Sequence, residues 1–410
     1  MVLGLWTSND LRLNALGASD QILPAIVARP NGGFSAIWND YSGYLSTVLP
    51  VKMWASFHAD GSTSAPQSRF ETHHKAVPVA PLMIPTPTGY VAAWTKSPSG
   101  PGNPSDSWQA GRASFPGAGT VVVPSLNTGD QVVTGLTRLV DGRVVIVWTT
   151  EATTPEDAAP LGLRARIFAA NGTPQGNEFA VNTTTPGAQA EGRAAGLANG
   201  GFVVVWTDPS AGDGQPAPDT DLRLQAFDAA GNKIGPERQI DPTGTGLQSR
   251  PDIARLADGR LIVVWTDSAT DGAGTGLRAQ FLDSSGVPAG AAFTLNQSAA
   301  GNQSGARLLV LADGRFLIAW QDDGGAHGDT SGSAIMVQVM RADGTPDGAA
   351  ERVNTTTAGN QHSVALTQLA DGRIVLAWTD ESNTGVNTQG ADIRARILDP
   401  RSEAITFAGT

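Results

Sequence analysis

The sequence has no cysteine, only four lysines and no long apolar run, and each absence excludes a class of protein. Without cysteine the chain forms neither disulfides nor a cysteine-based zinc site. No apolar stretch reaches the length of about 18 residues that a membrane-spanning helix requires, so we expect no membrane span. The 410 residues carry a net charge of −11 without a basic patch, so nucleic acid is not an expected partner.

The start of the chain, MVLGLWTSND, lacks the basic and apolar regions of a secretory signal peptide. The hydrophobic fraction of 40% is nevertheless sufficient for packed cores. Glycine and proline are spaced between short apolar runs, as expected for turns between many short strands.

One segment recurs along the chain, and its clearest copy is LADGRLIVVWTD (256–267). Seven copies exist, and their tryptophans lie 54 to 59 residues apart. A glutamine precedes the tryptophan by 17 residues in six copies, and Val77 replaces it in the second. Such a regular period indicates stacked repeat units. The anchor tryptophans are Trp38, Trp94, Trp148, Trp206, Trp265, Trp320 and Trp378.

Each repeat reads as four strands, which we call a, b, c and d. Asp-Gly or Asn-Gly between a and b predicts a type I′ hairpin, with positive φ at both central residues. Strand b is continuously apolar, which predicts burial on both faces, whereas strand c alternates, as in LRARIF (163–168). Four strands in one repeat favour an all-β, seven-bladed β-propeller of four-stranded antiparallel blades over a solenoid or separate domains.

The chain begins with a d-like strand that precedes the first repeat, and it ends with a repeat that lacks a d strand. The segment LRLNALGASDQ (11–21) aligns with the d-strand segments FTLNQSAAGNQ (293–303) and ERVNTTTAGNQ (351–361). The last repeat, 363–398, lacks a d strand. We therefore expect residues 11–14 to complete the last blade of a single propeller domain, 1–410, and to cover an exposed sheet edge.

The variable b–c loops begin with an aspartate two residues after the tryptophan in several repeats. Because carboxylates suit calcium, one hypothesis is a metal role for Asp208, Asp267, Asp322 and Asp380. The alternative is that each aspartate accepts backbone hydrogen bonds and shapes its loop. No other cofactor is predicted.

The first two repeats are degenerate and concentrate aromatic and histidine residues. Aromatic faces beside polar groups suit stacking on sugar rings, so this region is a candidate glycan site. The alternative is local packing. The candidate ligand-binding residues are Tyr41, Tyr44, Trp54, His73, His74 and Trp108.

The pattern LADGRxVVxWTD, followed by RARxFDxxG and FxVNTxTxGxQ strands, resembles repeats of large secreted proteobacterial proteins. Those repeats often accompany hemolysin-type (RTX) calcium-binding segments and leave the cell by a type I route. The resemblance covers roughly residues 11–400, and the tail AITFAGT (404–410) resembles the lead-in to such a segment. It implies an extracellular or cell-surface location and further domains in a longer parent chain, but it transfers no catalytic residue.

No catalytic motif stands out, since GxSxG, HExxH and P-loop patterns are absent. The favoured hypothesis is a non-catalytic binding or adhesion module that recognises glycan or another surface polymer. One alternative is a polysaccharide hydrolase or lyase with acidic residues at the propeller mouth. Another is a structural unit of an extracellular layer.

Overall fold

A computed structural model shows an all-β, seven-bladed β-propeller of four-stranded antiparallel sheets, as the sequence predicts. Blades are numbered here by the order of their anchor tryptophans. None of the described residues forms a helix long and apolar enough to cross a membrane. The structure describes residues 5–14, 20–41, 51–72, 79–96, 109–114, 116–117, 119–124, 131–151, 162–184, 187–209, 220–241, 246–269, 272, 274–296, 300–325, 328–383 and 390–401.

The chain divides into two compact units, and the first comprises residues 1–71 and 307–410. It holds most of blades 1, 6 and 7. Blade 1 consists of β3 (Gln21–Ala28), β4 (Phe34–Asp40), β5 (Val51–Phe57) and β6 (Thr63–Thr72). Blade 6 consists of β23 (Gln303–Val310), β24 (Phe316–Asp322), β25 (Ala334–Met340) and β26 (Glu351–Arg352). Blade 7 consists of β27 (Gln361–Gln368), β28 (Ile374–Asp380) and β29 (Asp392–Asp399), with β1 (Leu5–Trp6) and β2 (Leu11–Arg12).

The second unit comprises residues 72–306 and holds blades 2 to 5. Blade 2 consists of β7 (Leu82–Thr86), β8 (Gly89–Lys96), β9 (Gln109–Ser114) and β10 (Thr120–Val122). Blade 3 consists of β11 (Gln131–Arg138), β12 (Val144–Thr150), β13 (Gly162–Phe168) and β14 (Phe179–Ala180). Blade 4 consists of β15 (Ala190–Gly196), β16 (Phe202–Asp208), β17 (Asp221–Phe227) and β18 (Lys233–Ile240). Blade 5 consists of β19 (Gln248–Arg255), β20 (Leu261–Asp267), β21 (Gly276–Leu282) and β22 (Phe293–Thr294).

The N-terminal strand completes blade 7, which confirms the expected closure. In β2, Leu11 pairs with Ala395 of β29 in antiparallel register, and the Leu13 N–H donates to the Ile393 carbonyl at 2.9 Å. A further strand that the repeat count did not reveal, β1, pairs Leu5 with Asp399 of the same β29. Chain segments from the two ends of the sequence thus share one sheet, and its outer edge is paired.

Each strand b is the centre of its blade, and the anchor tryptophans pack between blades. Every residue of β12, β16, β20 and β28 is buried, as the continuous apolar runs predict. Trp206 packs with Val145 and Leu163 of the preceding blade. Trp378 packs in the same way with Leu317 and Val337. These indoles are therefore structural, since burial on this scale contributes core stability and leaves no face for a ligand.

The a–b hairpins differ from the predicted type I′ turn. In blade 3 the Gly142 N–H donates to the Leu139 carbonyl at 3.0 Å, and the Leu139 N–H donates to the Arg143 carbonyl at 2.8 Å. Only Gly142 has a positive φ, of 90°, and Asp141 does not. This is a three-residue loop, a type I turn followed by a glycine bulge, so only one position needs the left-handed region. The Asp141 side chain accepts the Arg143 N–H at 3.1 Å, which explains the Asp-Gly-Arg sequence.

Candidate functional site

Strands b and c of each blade are joined at the end of the sheet where strand a begins, and we call this the b–c end. In blade 7 the register sets Gln361, the first residue of strand a, opposite Asp380, the last residue of strand b. Strand c begins at the same end, with Asp392 opposite Asp380. The candidate aspartates therefore lie at the b–c end, each in its own blade.

Two of these aspartates are held by arginine from strand c. Asp208 forms an ion pair with Arg223 Nε at 2.5 Å, and its side chain is fully buried. Asp380 forms an ion pair with Arg394 and accepts a hydrogen bond from Gln361 Nε2 at 3.1 Å. Buried carboxylates need such partners, since an unpaired buried charge is costly. The contacts link strands a, b and c at one end of the blade.

The other two aspartates shape their loops. Asp267 accepts the backbone N–H of Ala269 at 2.8 Å and lies 3.8 Å from Arg278 Nη1. Asp322 accepts the backbone N–H of Gly324 at 2.8 Å. This matches the structural role weighed for these residues. Among the described residues, no group of three or more His, Asp or Glu side chains is placed to hold a metal ion. Calcium binding by the four aspartates stays a prediction.

The structure describes two of the six candidate ligand-binding residues. Tyr41 follows the last residue of strand b in blade 1 and lies at the b–c end. Trp54 lies opposite Ile37 in the middle of β5, three residues from the b–c end, and is half-buried. The two residues thus lie at different levels along blade 1. The remaining four lie outside the described residues: Tyr44, His73, His74 and Trp108.

Tyr41 is a half-buried phenol beside a carboxylate. Its backbone N–H donates to the Asp20 carbonyl at 2.9 Å, which fixes its position at the start of the b–c loop. Burial and the negative charge of Asp20 both raise the pKa of Tyr41, because each disfavours the phenolate. The hydroxyl therefore stays protonated at neutral pH and can donate a proton or a hydrogen bond.

A histidine, a glutamate and a serine meet at the b–c end of blade 7. His362 Nε2 lies 3.1 Å from Glu381 Oε1, and His362 Nδ1 lies 2.9 Å from Ser363 Oγ. Asn360 Nδ2 donates to the other Glu381 oxygen at 2.9 Å. Partial burial works to raise the pKa of Glu381, but the hydrogen bonds from Asn360 and His362 outweigh it, so this pKa lies below its ordinary value. Glu381 is therefore ionised at neutral pH.

The backbone at this corner follows a β-bulge. In β27 the pairing with β28 shifts between His362 and Ala365, and Ser363 has a φ of 59°. The same position in blade 1 is Leu23, with the same φ, and its N–H donates to Thr379 Oγ1 of blade 7 at 3.0 Å. The bulge is thus a repeated feature that joins blades 7 and 1 at the b–c end.

Strand a carries a charged residue at the equivalent bulges of blades 4 and 5. The Arg250 N–H donates to Glu191 Oε2 at 2.5 Å, and Arg250 Nη1 donates to Ser304 Oγ at 3.3 Å. Glu191 and Arg250 have positive φ values of 56° and 52°. The residue two positions after the glutamine therefore varies among blades 1, 4, 5, 6 and 7, while its φ stays between 52° and 66°. Such variation on a constant scaffold is typical of a functional surface.

The sequence-predicted site residues do not include His362, Ser363 and Glu381, because those predictions concern the degenerate first two repeats and the recurring aspartates. The register alone sets His362 opposite Thr379, and the Glu381 N–H donates to the Asn360 carbonyl at 2.8 Å. The contact between the His362 and Glu381 side chains is therefore diagonal across strands a and b, and the strand pairing by itself does not predict it. These residues lie inside one of the most regular copies of the repeat.

Comparison with known proteins identifies the fold. No protein-family model matches the sequence, and no curated protein matches it either. The polysaccharide lyase Uly1 is 9% identical, with a TM-score of 0.57 over 97% of this chain and 100% of that one. A protein of unknown function from Dyadobacter fermentans is 14% identical, with a TM-score of 0.52 over 95% and 98%. The phage phi92 endosialidase is 10% identical, with a TM-score of 0.51 over 99% and 71%. At these identities the chain shares with them the β-propeller fold.

Proposed function

We propose that the protein is a polysaccharide-cleaving enzyme, a hydrolase or lyase, that works at the b–c end of blades 7 and 1. The observation that carries this proposal is the contact of His362 with ionised Glu381 at the b–c end of blade 7. Blade 1 packs against blade 7 and carries the half-buried, protonated Tyr41 at its own b–c end. A histidine held by a carboxylate is a typical general base, and a tyrosine hydroxyl is one of the groups that serve as general acids.

The chemistry follows from the protonation states. An ionised Glu381 accepts the Nε2–H of His362, so Nδ1, which lies 2.9 Å from Ser363 Oγ, is the ring nitrogen that can act as a base. Tyr41 is a proton donor for the oxygen that leaves when a glycosidic bond breaks. Hydrolysis requires a base to activate water and an acid for the leaving group, and elimination requires a base for a ring proton and the same acid.

The fold supports the proposal by analogy. A chain described as a polysaccharide lyase and another described as an endosialidase share the propeller fold with this protein. Because one fold hosts many functions, the proposal depends on the residues of blades 7 and 1. The analogy adds only a class of substrate. Export to the cell exterior, where polysaccharides are abundant, belongs to the same proposal.

The test is a reducing-end assay on a panel of neutral and acidic polysaccharides. Wild-type protein should release reducing ends from at least one of them, and ultraviolet absorbance of an unsaturated product would identify elimination. Tyr41→Phe and Glu381→Gln should each lower kcat about 100-fold or more. The matched control is Asp343→Asn, which alters an exposed carboxylate at the other end of blade 6. Binding of a polysaccharide without any cleavage would overturn the proposal and favour the non-catalytic binding module.

A further inference from the structure

Ser363 stands in hydrogen-bond contact with an imidazole whose other nitrogen meets a carboxylate. The chain of contacts runs from Ser363 Oγ to His362 Nδ1 at 2.9 Å and from His362 Nε2 to Glu381 Oε1 at 3.1 Å. We infer that Ser363 is a nucleophile activated by His362 and Glu381, and that it removes ester-linked acyl groups from a polysaccharide. The polysaccharide as substrate rests on the proposed function, whereas the ester chemistry rests on these contacts alone.

The tautomer of His362 follows from its partners. An ionised carboxylate only accepts hydrogen bonds, so Nε2 must be protonated and must donate the hydrogen bond to Glu381. Nδ1 of the neutral ring is then an acceptor, and the only group that can donate across the 2.9 Å contact is the Ser363 hydroxyl. Nucleophile, base and orienting carboxylate are thus connected as they are in serine hydrolases, with the two ring nitrogens exchanging roles.

The bulge makes this contact possible. In a regular strand the side chains of consecutive residues point to opposite faces, so Ser363 would point away from His362. The φ of 59° at Ser363 turns the backbone into the left-handed region and brings Oγ to the neighbouring imidazole. The same backbone recurs at Leu23, Glu191 and Arg250, so the turn belongs to the scaffold, and blade 7 differs in the side chains placed on it. Blade 6 has glycine at the same position, Gly305, with a φ of 66°.

Burial is compatible with substrate access. The His362 side chain is 25% exposed and that of Glu381 is 43% exposed. The positions of His362 and Ser363 are occupied by Ile22 and Leu23 in blade 1 and by Ser249 and Arg250 in blade 5. The bulge itself therefore requires neither histidine nor serine. The combination in blade 7 is additional to what the fold needs.

The reaction balances with water as the only co-reactant. Ser363 Oγ bonds to the ester carbonyl carbon while its proton passes to His362 Nδ1. The bond from that carbon to the sugar oxygen then breaks, and the proton on Nδ1 passes to the departing oxygen. Water attacks the acyl-serine by the same route, which releases the carboxylic acid and restores the hydroxyl of Ser363. Glu381 keeps the imidazole oriented throughout.

The inference is tested on the intact chain with a fluorophosphonate probe and with p-nitrophenyl acetate. Peptide mapping should place the phosphonate on Ser363, and wild-type protein should hydrolyse p-nitrophenyl acetate. Ser363→Gly should abolish labelling, and His362→Asn should slow it about 100-fold or more. Glu381→Gln should slow labelling less than His362→Asn does, because it affects orientation only.

Ser363→Gly is chosen because glycine accepts a positive φ without strain, so this variant should fold at least as stably as wild type. Ser249→Ala is the matched control, a strand-a serine at the b–c end of blade 5 that should leave labelling unchanged. Absence of labelling at Ser363, or labelling that His362→Asn does not slow, would overturn the inference. Loss of ester hydrolysis in Ser363→Gly with intact release of reducing ends would separate this activity from polysaccharide cleavage.

Discussion

Replacing Asp380 with alanine should lower the free energy of unfolding by about 3–5 kcal/mol, because it leaves a largely buried arginine without its counter-charge. The Asp380 side chain is 1% exposed and that of Arg394 is 15% exposed. The same change removes one acceptor of Gln361 Nε2, at 3.1 Å, although the Ala358 carbonyl still accepts from that nitrogen at 2.9 Å. The main cost is therefore that of the unpaired Arg394 guanidinium, and it exceeds the value of the contact itself.

The opposite truncation should cost less. Met336 of blade 6 and Arg394 of blade 7 occupy equivalent positions, because each lies opposite the anchor tryptophan of its blade. Arg394→Met leaves Asp380 with Gln361 and with the Ser382 N–H at 3.1 Å, so we expect a loss of about 1–2 kcal/mol.

Urea unfolding followed by tryptophan fluorescence measures both changes, and Asp380→Ala combined with Arg394→Met measures their coupling. The control is Thr150→Ala at the same position of blade 3, where Arg164 pairs with Glu178 at 3.2 Å instead. This control should cost about 1 kcal/mol. A loss for Arg394→Met that equals or exceeds that of Asp380→Ala would refute the reasoning.

Three further predictions concern packing, closure and pH. Gly111→Ala should destabilise the protein by about 1–3 kcal/mol in urea unfolding, because its Cβ would overlap the Trp94 carbonyl and lie 2.7 Å from a Val133 methyl. Deletion of residues 1–14 should produce aggregates in light scattering, since it exposes the edge of blade 7. Because the folded-state pKa of Glu381 is lowered, its stabilising contribution is present above the ordinary glutamate pKa and is lost as the pH falls through the lowered one. The stability difference between wild type and Glu381→Gln should accordingly shrink on acidification in urea titrations.

Most of the fold could be predicted from the sequence, because the repeat makes many weak signals agree. The tryptophan spacing gave the number of blades, and the displaced segment at 11–14 gave the closure of blade 7. The turn type was wrong because Asp-Gly suits two hairpin geometries, and the length of the loop decides between them. The strand β1 was missed because two residues of pairing leave no periodic pattern.

The site was harder to predict for a physical reason. A constellation of Ser363, His362 and Glu381 depends on strand register and on one left-handed residue, and neither follows from residue types. The aspartates stand out in sequence because they recur, yet in blades 4 and 7 they serve the pairing of neighbouring strands within the blade. A residue that serves one blade only is not distinguished from ordinary variation until the register is known.

The central claim is that the b–c end of blades 7 and 1 cleaves polysaccharide, and reducing-end release by wild type and by Glu381→Gln tests it most directly. The account predicts cleavage by wild-type protein that falls about 100-fold or more in Glu381→Gln, with unchanged activity in Asp343→Asn. Equal cleavage by wild type and Glu381→Gln, or none by wild-type protein that still binds the polysaccharide, would contradict it.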